Sequence, residues 1–349
     1  MRTAIYLILF IFISYSEILA QRSNKSAVEK LSKSVFEETT LTGLKFRSIG
    51  PAQTSGRVSD FAINPNNFKE YYVAAASGGV WKTVNAGTTY IPVFDEAGSY
   101  SIGCITMDPN NANVIWVGTG ENNNQRSVPY GDGVYKSIDG GETWKNMGLK
   151  SSEHIGKILV DPNNSNIIYV AAIGPLWSSG GERGVYKSVN GGETWRLMLG
   201  IDADTGINDL IMDPRDSQVI YAAAYQRRRH VFTYLGGGPG SGLHKSVDGG
   251  ATWIEINKGL PEVDKGRIGM AMAPSDPEVI YAIVEASEGK GGFFMSTNRG
   301  ASWKKQGNYS TSGNYYQEIV VDPQDAQTVY AMNTWIQVSR DGGKTFKVL

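Results

Sequence analysis

Ser137-Ile138-Asp139-Gly140-Gly141-Glu142-Thr143-Trp144 and Ser246-Val247-Asp248-Gly249-Gly250-Ala251-Thr252-Trp253 are the two fullest copies of a turn sequence that recurs six times in this 349-residue chain. Close variants run from Ser188 to Trp195 around Asn190, from Ser296 to Trp303 around Asn298 and from Ser339 to Phe346 around Asp341, and a degenerate one from Thr83 to Tyr90 around Asn85. The Asp or Asn positions are spaced by 54, 51, 58, 50 and 43 residues. Self-similarity at that period means a solenoid, a propeller or an array.

The chemistry of the motif is that of a hairpin turn. A short Asp or Asn side chain accepts hydrogen bonds from backbone N–H groups of its own turn, and the glycine at the fifth position takes a positive φ without steric cost. The aromatic at the eighth position opens the next strand and suits the seam between neighbouring sheets, where its burial contributes about 4–6 kcal/mol as an upper figure.

A second punctuation mark precedes each turn. Asn64-Pro65-Asn66-Asn67, Asp108-Pro109-Asn110-Asn111, Asp161-Pro162-Asn163-Asn164, Asp213-Pro214-Arg215-Asp216, Ala273-Pro274-Ser275-Asp276 and Asp322-Pro323-Gln324-Asp325 are Pro-centred turns. Each separates two short runs rich in β-branched and aromatic residues, such as 155–160 and 167–172, which predicts strands. Every repeat then reads as four antiparallel strands, a blade whose two apolar faces are buried only by stacking in a ring. The expected fold is an all-β propeller of four-stranded blades, six of them in this chain, over residues 41–349. Either residues 44–49 complete the final blade as an N-terminal strand, or the six repeats begin a seven-bladed ring of a longer protein with a second propeller or C-terminal domain.

Composition agrees: 42 Gly, 18 Tyr and 8 Trp suit an all-β domain. The formal charge of −1 argues against a nucleic-acid partner. At the N-terminus, Arg2, the apolar stretch 4–13 and Ile18-Leu19-Ala20 read as a secretory signal peptide over residues 1–20, followed by a polar leader over 21–40. A secreted, periplasmic or cell-surface location follows as an expectation, with no membrane span once the signal is removed. The single cysteine, Cys104, lies in an apolar strand and reads as a core residue. His154 and His244 stand apart from metal-ligand spacings, so neither a metal nor a cofactor is expected.

The Ser-x-Asp-x-Gly-x-Thr-Trp turns resemble the Asp-boxes of sialidase and bacterial neuraminidase repeats (BNR repeats). Together with the Asp-Pro-Asn turns they are similar to the sortilin-type and xyloglucanase-type propellers, over roughly residues 45–349. The resemblance implies a fold that serves hydrolases, receptors and assembly factors alike. It also implies a catalytic Asp just before a Gly-Gly-aromatic stretch of the first blade. Here that stretch is Ala75-Ala76-Ser77-Gly78-Gly79-Val80-Trp81, with Ala76 in the place of the Asp. No sialidase-type Arg triad with a Tyr nucleophile can be assigned from the sequence.

Blade topology points to the binding surface. The Pro turns and the Asp turns share one face, while the connections between second and third strands and those between blades share the other and vary in length. Three insertions there carry distinctive chemistry: residues 120–132 with Glu121, Asn122, Arg126 and Tyr130; 175–183 with Trp177, Glu182 and Arg183; and 225–242 with Tyr225, Arg227, Arg228, His230, Phe232 and Tyr234. Aromatics that stack on sugar rings beside amide and arginine donors suit a polysaccharide, glycoprotein or peptide, and the Arg227–His230 run also reads as an anion clamp. Glu121, Glu182, Glu285, Asp202, Asp204 and Asp209 supply carboxylates for a glycosidase, which requires two. The expectation is a recognition module; the alternative is a xyloglucanase-like or sialidase-like hydrolase, or one propeller of a two-propeller glycosidase.

Overall fold

The computed structural model describes residues 56–123 and 128–349. The stretches read as a signal peptide and leader, residues 44–49 and Arg126 lie outside them. Six four-stranded antiparallel sheets follow one another along the chain. Their strands are Val58–Ile63, Tyr71–Ala75, Gly79–Thr83 and Ile91–Pro92 in blade one, and Ile102–Asp108, Asn111–Thr119, Val134–Ser137 and Lys145–Asn146 in blade two. Blade three comprises Ile155–Asp161, Asn164–Ala172, Gly184–Ser188 and Arg196–Leu199, and blade four Thr205–Asp213, Asp216–Gln226, Gly242–Ser246 and Ile254–Glu255. Blade five is Lys265–Met272, Ile280–Ala286, Gly292–Ser296 and Lys304–Gly307; blade six is Ile319–Val321, Val329–Ala331, Gln337–Ser339 and Lys347–Val348.

The blades stand in a propeller ring, with the first strands of successive blades side by side around the axis. Blade six takes its fourth strand from Lys347–Val348, paired with Gln337 and Val338. The second strands are sandwiched between blades on both faces. Ile168 to Ala172 and Ile220 to Tyr225 are therefore buried without interruption, where a one-sided sheet would alternate. Five apolar clusters fill the five seams between consecutive blades.

The turn motif closes as its residue types require. Ser137 Oγ donates to Asp139 Oδ1 at 2.7 Å and accepts the Gly141 N–H at 2.8 Å, while Asp139 Oδ1 accepts the Thr143 N–H at 2.9 Å. The Asn copies keep this wiring: Asn190 Oδ1 accepts the Thr194 N–H at 3.0 Å and its amide donates to the Thr194 hydroxyl at 2.9 Å. Gly140 and Gly141 sit at φ 70° and 90°, where only glycine is unstrained.

From the second copy of the motif onwards, most motif aromatics reach back into the preceding blade. Trp144 Nε1 donates to Val93 O at 2.6 Å, Trp195 to Met147 O at 2.7 Å and Trp303 to Ile256 O at 2.7 Å. Phe346 lacks a donor and stacks instead on Tyr309, 3.9 Å between ring centroids. Trp253 is the exception: its indole donates to Gly250 O of its own turn at 3.0 Å while the ring packs in the seam between blades three and four.

A polar clasp runs the other way. Tyr72, Tyr169 and Tyr221 on second strands donate to Gly140 O, Gly249 O and Arg299 O in the next occupied turn, at 2.8, 3.1 and 3.2 Å. Lys82, Lys187 and Lys245 on third strands donate to those same carbonyls while lying over the tyrosine rings.

Trp303 is nearly fully buried, so Trp303→Ala is expected to cost about 3–5 kcal/mol, read as a fall in the urea midpoint. A second expectation concerns acid. Hydrogen bonds from Thr143, Thr252 and Thr345 hold the carboxyls of Asp139, Asp248 and Asp341 at about 2, below an ordinary value of about 3.9. Their contribution is present above about pH 4 and lost as pH falls towards 2. The triple variant Asp139→Asn, Asp248→Asn, Asp341→Asn keeps the turns and cannot titrate there; its urea midpoint should fall less steeply between pH 5 and 2.

Candidate functional site

Topology collects polar side chains at one place. First strands begin, and second strands end, on the face away from the Asp turns, so residues just before the one and just after the other crowd the mouth of the axial channel. Arg57, Ala76, Ser101, Glu121, His154, Arg227 and Glu318 occupy such positions, and Glu285 lies one residue before the end of its second strand. Most are charged in segments otherwise built for burial.

Glu121 is buried and ion-paired with Arg57. Its carbonyl lies 2.8 Å from His154 Nδ1. Burial, reinforced by the Arg227 and Arg183 charges, pushes His154 well below its ordinary value, so the ring is neutral at pH 7 and Nδ1 carries the donated proton. Asn122 donates to Gly103 O at 3.3 Å and to Glu318 Oε1 at 3.4 Å, and Arg267 Nη2 approaches the same carboxylate oxygen at 3.4 Å. Arg57 also stands 5.0 Å from the Tyr315 ring centroid. Deeper in the channel Lys157 pairs with Asp60 at 3.4 Å, and desolvation raises Asp209 to about 6 against the pull of Lys157.

The insertions of blades three and four meet beside this mouth. Arg228 and Arg229 pair with Leu235 and Tyr234 in a two-stranded hairpin whose tip exposes Val231 and Phe232. The Arg229 guanidinium lies between Trp177 and Tyr234, 5.9 and 5.0 Å from their ring centroids. The Tyr234 and buried Tyr225 hydroxyls are 2.8 Å apart, and Arg228 pairs with Asp204 at 3.0 Å. Trp177, 54% exposed, presents the free aromatic surface of this group.

Other residues singled out in the sequence serve differently. Arg183 is buried, and its guanidinium donates to the carbonyls of Ile173, Pro175, Ser178 and Gly180; it organises its own loop. Glu182 accepts the Ser151 N–H at 2.8 Å. Tyr130 and His230 are exposed, away from those contacts. Asp202 accepts from Thr205 and the Asp204 N–H.

Between blades four and five lies an open cleft of about 310 Å³ lined by Tyr234, Gly236, Gly237, Asp264, Gly266, Glu285 and Ser287. Burial raises the Glu285 carboxyl above its ordinary value, partly offset by the Arg267 N–H, which donates to it at 3.3 Å. An upward shift beside a cleft is the direction a general acid requires. Ala76 itself is buried; its carbonyl lies 3.1 Å from the Ser101 hydroxyl, which accepts the Glu121 N–H at 2.9 Å. Among the described residues no group of three or more His, Cys, Asp or Glu side chains is placed to hold a metal, and no helix is long and apolar enough to cross a membrane.

Arg57, Asn123, His154, Arg267 and Glu318 were not selected from the sequence as site residues. The available signal was a charge at the head of an apolar first strand, as in Arg267 before Ile268-Gly269-Met270.

The fold is an all-β propeller of four-stranded blades. No protein-family profile matches the chain. It is 26% identical over 265 residues to a xyloglucanase of Paenibacillus sp., covering 74% of this chain and 21% of that protein. It is 24% identical over 318 residues to the xyloglucanase Xgh74A of Acetivibrio thermocellus, covering 79% and 36%. The chain therefore spans about a fifth to a third of the length of these curated relatives. Among solved structures, the GH74 enzyme of Niastella koreensis superposes with a TM-score of 0.61 at 20% identity, covering 81% of this chain and 45% of that one. The GH74 xyloglucanase of Xanthomonas campestris gives 0.61 at 18% identity, covering 87% and 46%. YCF48 bound to D1 peptide gives 0.53 at 14% identity, covering 85% and 83%.

Arg183→Lys cannot reach four carbonyls from one ammonium, so amide exchange across 174–183 should accelerate while the other blades keep their protection.

Proposed function

We propose that this propeller binds a polysaccharide across its loop face as one wall of a xyloglucanase-type glycoside hydrolase, exported by its N-terminal signal. The observation that carries the reading is the joint placement of exposed Trp177, the Tyr234 cleft and the carboxyls Glu121 and Glu285 on one face. An aromatic platform beside carboxyls is what a sugar chain needs for stacking and for hydrogen bonding or acid chemistry. The similarity to xyloglucanases supports polysaccharide as the ligand class. The Asp-box reading of the turns and the sortilin-type likeness rest on the motif residues and are compatible with this role.

A second reading, recognition without turnover, is favoured by one residue: Ala76 stands where the resemblance places a catalytic Asp. Titration with xyloglucan oligosaccharides and measurement of released reducing ends separate the two. Binding is expected, and Trp177→Ala, which removes an exposed ring, should weaken it about tenfold, equivalent to about 1.4 kcal/mol, with the thermal midpoint unchanged. Reducing ends that appear with the protein and vanish in both Glu285→Gln and Glu121→Gln favour the hydrolytic reading. Binding without release favours recognition alone, and no binding to any polysaccharide of a β-glucan and acidic-glycan panel overturns both.

A further inference from the structure

We propose that the mouth of the axial channel is an anion site, formed by Arg57, Arg227 and Arg267, that takes the carboxylate of a uronate unit in the bound polysaccharide. The inference rests on the polysaccharide reading above and narrows it to an acidic glycan.

Arg267 is only 2% exposed, yet its Nε and Nη1 find no hydrogen-bond partner among the described residues, and Nη2 has only the 3.4 Å contact with Glu318. Arg227 has no exposed surface. It donates to Asn123 O at 3.0 Å and Gly174 O at 3.4 Å, its Nε is without a partner, and no carboxylate among the described residues stands within ion-pairing distance of it. Burial is the main cause holding Arg227 down at about 10, with the Arg183 and Arg267 charges acting in the same direction, and the Arg267 charge also lowers Arg57. Buried cations with unused donors are costly unless an anion meets them. A guanidinium fork matches the planar carboxylate better than it matches a hydroxyl.

Glu318 shows how such an anion sits. Its carboxylate reaches the Arg267 and Asn122 donors only at 3.4 Å each, and its side chain is 44% exposed. A weakly held, half-exposed carboxylate is readily displaced, and Arg57, one third exposed, stands at the same opening. A ligand carboxylate entering there exchanges with Glu318, while the sugar ring faces Tyr315, which Arg57 overlies.

Calorimetric titration of the protein with oligogalacturonate, a neutral xyloglucan oligosaccharide, sulfate and phosphate tests this. Oligogalacturonate should bind more tightly than the neutral oligosaccharide and weaken with added salt. Arg267→Gln should reduce uronate affinity at least tenfold. Because that variant removes a buried side chain, Glu318→Ala provides a second test at a half-exposed position: loss of the competing carboxylate should tighten uronate binding several-fold, whereas a structural role for Glu318 would not tighten it. Equal affinity for neutral and acidic sugars, or no gain in Glu318→Ala, overturns the anion site and leaves the polysaccharide reading standing. Binding of sulfate and phosphate without uronate overturns the sugar assignment, and failure of every glycan overturns both readings.

Discussion

The structure depends on how each blade grips the next. The carbonyls of Gly140, Gly249 and Arg299 in three of the turns each accept two donors across the seam from the preceding blade, a tyrosine hydroxyl and a lysine ammonium: Tyr72 and Lys82, Tyr169 and Lys187, Tyr221 and Lys245. The turn's tryptophan meanwhile places its indole in that seam and satisfies its N–H there, as Trp144 does at Val93. Apolar burial supplies the attraction between sheets, but it is non-directional. The buried hydroxyl, ammonium and indole donors supply register, because each is costly to leave unpaired. The clasping position keeps a positive φ whether glycine fills it, as at Gly140 and Gly249, or a larger residue does, as at Arg299, and that φ turns the carbonyl towards the neighbour.

A consequence is a division of labour between the two ends of the ring. The turn face is committed to holding the blades together, so its loops are short and nearly identical. The opposite face carries no such duty, and its connections are free to vary. There the chain places Glu121, His154, Arg227 and Arg267 around the axis, and the hairpin of blade four beside Trp177 of blade three. Arginines fill three distinct roles on this face. Arg183 binds carbonyls and shapes a loop, Arg229 lies between aromatic rings, and Arg267 is buried with donors to spare.

Repeats, strand count and the face on which variable loops gather were legible in the sequence, since each follows from local chemistry: a turn needs its Asp and glycines, and a short β-branched run needs a sheet. Trp177, Tyr225 and Tyr234 were legible as members of insertions, though Tyr225 proved to be buried and hydrogen-bonded to Tyr234. Arg183 looked like a ligand residue because a charged side chain in a loop gives no sign that four carbonyls of the same loop will surround it. Arg57, Arg267 and Glu318 escaped notice because each lies in a different blade, more than fifty residues from the next. No local pattern marks residues that meet only when a ring forms.

By itself, then, the sequence determined the blade and its repetition, because hydrogen-bonding within a turn and burial of a strand act over a few residues. Tertiary structure alone decided which charges share the axial mouth, that His154 is neutral there, and that Arg227 and Arg267 are buried close enough for one to lower the pKa of the other. The physical reason is that desolvation and Coulombic coupling depend on distance through space, and stacking six sheets around an axis brings together strand ends that the chain holds far apart.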